Sequence, residues 1–283
     1  AYFDQTVITL NERLNAETLK ESFQTLIDRY DVLRTVFVYK ETDQPLQVVL
    51  ANKEATIDYR DITELNEAEQ RLYVDHFTIN DRKMRFDLEK DLLIRISVLA
   101  LSDTSCKMIL SFHHIIMDGW CIGTIAKDLF QIYRAYSIKQ KPELDAVFPY
   151  SRYISWLGQQ NRKTALAYWE QQLSGVEEQS GLPLSSKSTE DGSYKLNNHI
   201  FTLDEQLTRG LEMIAQQNQV TLSSVFHGIW GLLLQRYNDT KDVVFGSVVS
   251  GRPAELEGSE KMVGLFINTI PVRICHKEAQ TFS

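Results

Sequence analysis

The chain has 283 residues, of which 43% are hydrophobic and 24% charged, with a formal net charge of −8. This is the make-up of an ordinary globular protein with one large domain or two moderate ones. Acidic and basic residues are interspersed, which argues against the concentrated basic patch of a nucleic-acid surface and leaves small molecules and proteins as partners. Cys106, Cys121 and Cys275 are odd in number and far apart, with no C-x-x-C pair. That disfavours a disulfide framework or zinc knuckle and points to a reducing, cytoplasmic setting. No apolar run approaches the roughly 18–20 residues of a membrane span, and the opening residues do not read as a signal peptide.

Residues 1–10, AYFDQTVITL, read as a strand. In residues 16–31 Leu19, Phe23, Leu26 and Ile27 recur at helical spacing. LRTVFVYK and LQVVL read as strands, and TELNEAEQRLYVDHF as a polar, exposed helix. LLIRISVLAL and CKMILSFHH form a hairpin around SDTS. The helix that follows carries Ile122, Ile125, Ala126, Leu129, Tyr133 and Tyr136 on one face, and Lys127, Asp128 and Gln131 on the other. Two short helices surround Trp156 and ALAYWEQQL. SGLPLSSKSTEDGS is the best linker. Beyond it come a strand near HIFTL, a helix from about Asp204, and LSSVFHGIWGLLLQRY, a helix apolar on nearly all sides and therefore expected to be buried. DVVFGSVVS and VGLFINTIPVRI are strongly β-like. Strands and helices alternate in both halves, so the fold reads as α/β or α+β with two lobes, residues 1–174 and 175–283. Both ends look cut, as in a fragment truncated at both ends.

The stretch SFHHIIMDGWC, residues 111–121, raises three possibilities: metal ligands, an acid/base site, or packing at a strand end. If the strand persists, Met108, Leu110, Phe112 and His114 share one face, and Lys107, Ile109, Ser111 and His113 the other. The imidazoles then diverge, which counts against a metal site, since a metal needs converging ligands. In the packing alternative His113 is a hydrogen-bonded core residue, Asp118 caps the next helix and Gly119 relieves a tight turn. Spacing alone leaves packing and catalysis open.

HHIIMDG resembles the HHxxxDG signature of chloramphenicol-acetyltransferase-like acyltransferases, and the chain resembles a condensation domain of a nonribosomal peptide synthetase. RYDVLRTVF (29–37) is similar to that family's RHExLRTxF, with Tyr30 and Asp31 in place of His and Glu. YSRYISW (150–156) is similar to YxDYAxW, with Arg152 in place of Asp. VGLFINTIPVR (263–273) is similar to VGxFVNTxxxR. RFDLEKDLLIR, YWEQQLSG and DVVFGSVVSGRP also resemble family segments, in the family's order. The resemblance spans the chain, while the family's first and last motifs are absent. Epimerization domains generally differ at the segment matching 263–273, and heterocyclization domains carry an aspartate pattern instead of the histidine motif.

The resemblance implies a V-shaped, two-lobed α/β fold of mixed sheets with flanking helices, and an active site at the lobe junction. It implies peptide-bond formation between an upstream carrier-bound acyl or peptidyl thioester and the amine of a downstream aminoacyl thioester. The partners implied are upstream and downstream peptidyl carrier proteins and adjacent synthetase domains. Neither a metal nor a bound organic cofactor is implied, the phosphopantetheine arm being supplied by the carriers. The motif match makes His114 the functional histidine. His113 packs and orients; Asp118 is structural and pairs with an arginine of the other lobe, for which Arg252 is the candidate. Gly119 lets the backbone approach the thioester. Asn268 and Thr269 bond substrate or satisfy strand ends. Arg34, Trp156 and Trp169 read as structural. Cys121 stands where the family often has Ser and lacks an evident nucleophile's partner. The rival readings are a free-standing acyltransferase using coenzyme A thioesters and a non-catalytic recruitment module of the same family.

Overall fold

The computed structural model describes residues 2–40, 42–176, 180–182 and 199–275. They divide into two compact units, 1–160 with 250–267, and 161–249 with 268–283. The first unit closes at residue 160 rather than 174, and it takes back residues 250–267, because the backbone there is hydrogen-bonded to residues of the first unit, as described below.

The first unit is built on a four-stranded mixed sheet of order β1-β6-β5-β4. Strand β1 (Phe3–Leu10) runs antiparallel to β6 (Ser105–His113), which forms a hairpin with β5 (Ile94–Ser102). Strand β4 (Ile57–Asp61) lies parallel to β5 at the edge and was not evident from the sequence pattern. A separate ribbon pairs β2 (Thr35–Val38) with β3 (Leu46–Val49). On one sheet face, helices α1 (Ala16–Arg29) and α3 (Cys121–Ser137) bury Leu19, Phe23, Leu26, Ile125, Leu129 and Ile132 against Met108, Leu110 and Phe112. The other face carries Leu99 and Ile109 and receives Val74 and Phe77 of α2 (Glu67–Lys83), so the helix expected to be exposed is amphipathic.

Asp128 departs from the polar face expected of it. It is 5% exposed and accepts hydrogen bonds from Arg29 Nε (2.8 Å) and the Tyr30 hydroxyl (2.7 Å), both at the end of α1. Burial and the adjacent carboxylate push the Tyr30 phenol up to about 12, so the phenol is a donor at any ordinary pH. Arg34 donates to Leu50 O (2.6 Å) and pairs with Asp31, holding the short 3-10 turn 31–34 against the end of β3. Helix α4 (Ser151–Gly158) ends this part of the unit, with Trp156 stacked on Tyr153.

The second unit contains α5 (Arg162–Leu173), α6 (Glu205–Gln217), α7 (Leu222–Asn238) and a two-stranded sheet of β7 (Asp242–Val249) and β8 (Asn268–Cys275). Asp204 caps α6 through Leu207 N, as its position predicts. Arg273 joins the elements by pairing with Asp242 and donating to the carbonyls of Gln172 and Ser174. Two expectations are corrected here. Residues 199–203 form no strand. Helix α7 buries Val225 and Leu234 but exposes Phe226, Ile229, Trp230, Leu232, Leu233 and Tyr237. The physical reason is that the described elements cover it on one side only. The linker lies largely outside the described residues, at 183–193.

Geometry dictates glycine at position 251. Gly251 has φ +64, and a Cβ there would lie 1.9 Å from Phe266 O. Gly251→Ala is expected to destabilise the first unit by about 2–4 kcal/mol through left-handed strain and overpacking. Denaturant titration of the variant checks this.

Candidate active site

The β1–β6 register decides where the two histidines go. Phe3 is paired with His113, and Asp4 with Phe112. The ladder continues past the strand's end, with His114 N donating to Tyr2 O at 2.7 Å and His113 N to Leu93 O at 2.9 Å. His113 therefore falls on the face of Phe3 and Phe86, its ring edge-on to Phe86 at 6.4 Å. His114 follows the face of Phe112, 6.5 Å away between ring centroids. The rings diverge, as strand alternation requires. Among the described residues no three His, Cys, Asp or Glu side chains converge as a metal site.

His113 Nδ1 accepts the Ile115 N–H at 3.1 Å, which puts the proton of the neutral ring on Nε2. Burial, with the adjacent His114, holds its pKa below the ordinary histidine value. It borders a cavity of about 810 Å³ walled by Phe3, Tyr39 and Phe86, with Arg82, Lys83 and Arg85 at the rim. His114 is different: its side chain is 24% exposed, and its Nε2 lies 3.5 Å from Asp4 Oδ2.

Asp118 is fully buried and forms no ion pair with His114. Its Oδ2 accepts the N–H groups of Phe266 (3.0 Å) and Ile267 (3.3 Å). Its Oδ1 accepts Trp120 N (3.1 Å) and lies 3.5 Å from Arg252 Nη2. The residue preceding α3 is Trp120, which supplies no side-chain cap. The carboxylate thus organises the turn before the helix and ties it to residues 266–267. Those N–H groups are engaged by Asp118, so residues 263–267 are a strap rather than the front of a strand, and β8 begins only at Asn268.

Arg252 is held on several sides. Its guanidinium donates to the carbonyls of Ser259 and Met262, the latter at 3.0 Å, and to Cys121 Sγ at 3.3 Å. Its Cζ sits 4.1 Å from the Phe266 ring centroid, a cation–π contact. It belongs to the compact unit that contains Asp118. The Cys121 thiol is buried and donates to Gly264 O at 3.2 Å; burial pushes its pKa up, against any thiolate role. Tyr150 completes the strap, its hydroxyl donating to Leu265 O at 2.5 Å. A Cβ on Gly264 would meet the Tyr150 ring at 2.0 Å.

Gly119 is exposed, lacks a left-handed φ, and would meet no atom within 4 Å if it carried a Cβ. Among the described residues nothing requires glycine there. Asn268 and Thr269 open β8 in the second unit, both exposed, with Thr269 N donating to Asn268 Oδ1 at 2.8 Å. Arg152 pairs with Glu257 at 3.6 Å. Trp169 packs edge-on to Tyr168 at 5.1 Å and is half-buried. Sequence reasoning did not single out Asp4, and it quoted Tyr150 only within YSRYISW, without a role. The signal for Asp4 was a lone carboxylate inside an otherwise uncharged strand, FDQTVITL.

Comparison with known proteins bears on the whole chain. The family model "Condensation domain" matches residues 1–283. Gramicidin S synthase 2 of Brevibacillus brevis is 43% identical over 282 residues, covering 100% of this chain and 6% of the relative. Tyrocidine synthase 2 of Brevibacillus parabrevis is 44% identical over 279 residues, 99% of this chain and 8% of the relative. The chain therefore spans a small part of the curated relatives it matches. Among solved structures, the SgcC5 protein from Streptomyces globisporus aligns with a TM-score of 0.76 at 20% identity, over 96% of this chain and 61% of that one. The first condensation domain of the calcium-dependent antibiotic synthetase aligns at 0.72 and 17% identity, over 99% and 66%. At such identity these two show the fold alone, a mixed α/β condensation-domain fold. With a family match over its entire length, the chain belongs to the condensation-domain family.

Proposed function

We propose that the chain catalyses condensation in nonribosomal peptide synthesis, acting in the cytoplasm beside adjacent synthetase domains. The donor is an acyl or peptidyl thioester on an upstream carrier, and the nucleophile is the amine of an aminoacyl thioester on a downstream carrier. The amine nitrogen attacks the thioester carbonyl carbon, the C–S bond breaks, the upstream phosphopantetheine thiol leaves with a proton, and an amide remains on the downstream carrier. The observation that carries this reading is the intact HHIIMDG motif within a family match over the whole chain, with the His114 ring partly open to solvent.

His114 acts at the reacting centre, orienting the amine and taking its proton as the tetrahedral intermediate forms. His113 supports it from the opposite face as a neutral ring. Asp118 and Arg252 hold the loop and the strap in register. Gly119 offers open backbone against which the thioester can lie, and Asn268 and Thr269 supply polar contacts to substrate.

A single-turnover assay with loaded upstream and downstream carriers tests the proposal; product on the downstream carrier is the expected result. Turnover with coenzyme A thioesters and none with carriers would establish a free-standing acyltransferase instead. Stable capture of a partner enzyme with no amide formed would establish a recruitment module. Gly119→Ala separates the roles further. Because a Cβ meets nothing among the described residues, its stability should stay within about 0.5 kcal/mol of the parent. A methyl group intruding on the thioester should lower the rate about fivefold or more.

A further inference from the structure

We infer that Asp4 is the carboxylate that positions His114. This rests on the condensation reading above and adds a residue outside the histidine motif. The motif's own acid is already engaged: both oxygens of Asp118 are held by Trp120, Phe266, Ile267 and Arg252. Asp4 stands in the neighbouring strand, directly opposite Phe112 and diagonal to His114, on the same face of the sheet. The bond from His114 N to Tyr2 O extends that pairing to the histidine itself. The result is Nε2 at 3.5 Å from Asp4 Oδ2.

The chemistry follows from which nitrogen the carboxylate faces. A carboxylate beside Nε2 favours the tautomer with its proton there, leaving Nδ1 with the lone pair. Among the described residues Nδ1 of His114 has no hydrogen-bond partner. At 3.5 Å the carboxylate constrains which way the ring faces. The Asp4 side chain is 47% exposed. Such a pair adds little to folding, so its contribution lies in orienting the ring.

The test is a double-mutant cycle in the carrier-based single-turnover assay, joined to NMR of the chain with labelled histidines. Asp4→Ala should lower the maximal rate about fivefold to tenfold with half-saturating carrier concentrations unchanged, and Asp4→Glu should recover more of the rate than Asp4→Ala. In a His114→Ala background Asp4→Ala should cost nothing further, because it acts through that ring. The His114 ring signals should shift in Asp4→Ala while those of His113 stay in place. An equal loss with and without His114, or unmoved His114 signals, overturns the assignment. The NMR arm needs no turnover: absence of condensation by the parent chain would sink the function and leave the Asp4–His114 contact to be judged separately.

Discussion

His114→Ala is expected to lower the single-turnover rate of amide formation at least tenfold and to leave the fold intact. The lower bound comes from the acceptor's own chemistry. An α-amino group titrates near 7.7–8.0, so a useful fraction is already neutral near pH 7 without a base. General-base help contributes typically about 10²–10⁴-fold, and orientation of the nucleophile adds to it. A tenfold loss corresponds to about 1.4 kcal/mol of transition-state stabilisation. The fold should be unaffected, because the side chain is partly exposed and its main-chain bond to Tyr2 survives the substitution. Paired circular dichroism and rate measurements check both halves. A folded variant with the parent rate would remove His114 from the mechanism.

Asp118→Ala is expected to destabilise the first unit by about 3–5 kcal/mol, because it leaves the buried Arg252 without its counter-ion and two backbone donors without their acceptor. Arg252 is 11% exposed, and Asp118 not at all. The N–H groups of Phe266 and Ile267 lose the oxygen that holds the strap. For a domain of this size that loss lowers the thermal midpoint by on the order of 10 °C. Asp118→Asn should cost less, since its amide oxygen can still accept from the strap. The informative comparison is activity at a temperature where each variant remains folded. A variant that regains most of the parent rate when folded identifies Asp118 as structural, and loss of activity at higher temperature alone says nothing about chemistry. An Asp118→Ala variant as stable as the parent would contradict the buried network.

Particular residues show why the sequence and the structure agree where they do. The apolar spacing of Leu19, Phe23, Leu26 and Ile27 marks a buried helical face, and the structure buries all four. Alternation in CKMILSFHH separates core-facing Met108, Leu110 and Phe112 from Ser111 and His113, and hence makes the two imidazoles diverge. These are local periodicities, legible because side-chain direction in a regular element depends only on spacing. Asp128 was misread by the same rule, since helical phase cannot register that Arg29 and Tyr30 arrive from another helix to satisfy a buried carboxylate. Strand β4 escaped notice because IDYRD is a short edge segment with little apolar alternation.

The amino-acid sequence by itself determined the elements of the first unit apart from β4, the family and the motif residues, because period, turn chemistry and motif order are properties of the chain alone. Only the tertiary structure decided that Asp118 serves the strap 263–267, that Arg252 belongs with the first unit, and that the carboxylate beside His114 is Asp4. Each of those depends on strand register or on a contact between residues far apart in the chain. Spacing along a sequence carries no information about which distant backbone N–H, or which neighbouring strand, will come within hydrogen-bonding reach of a given side chain.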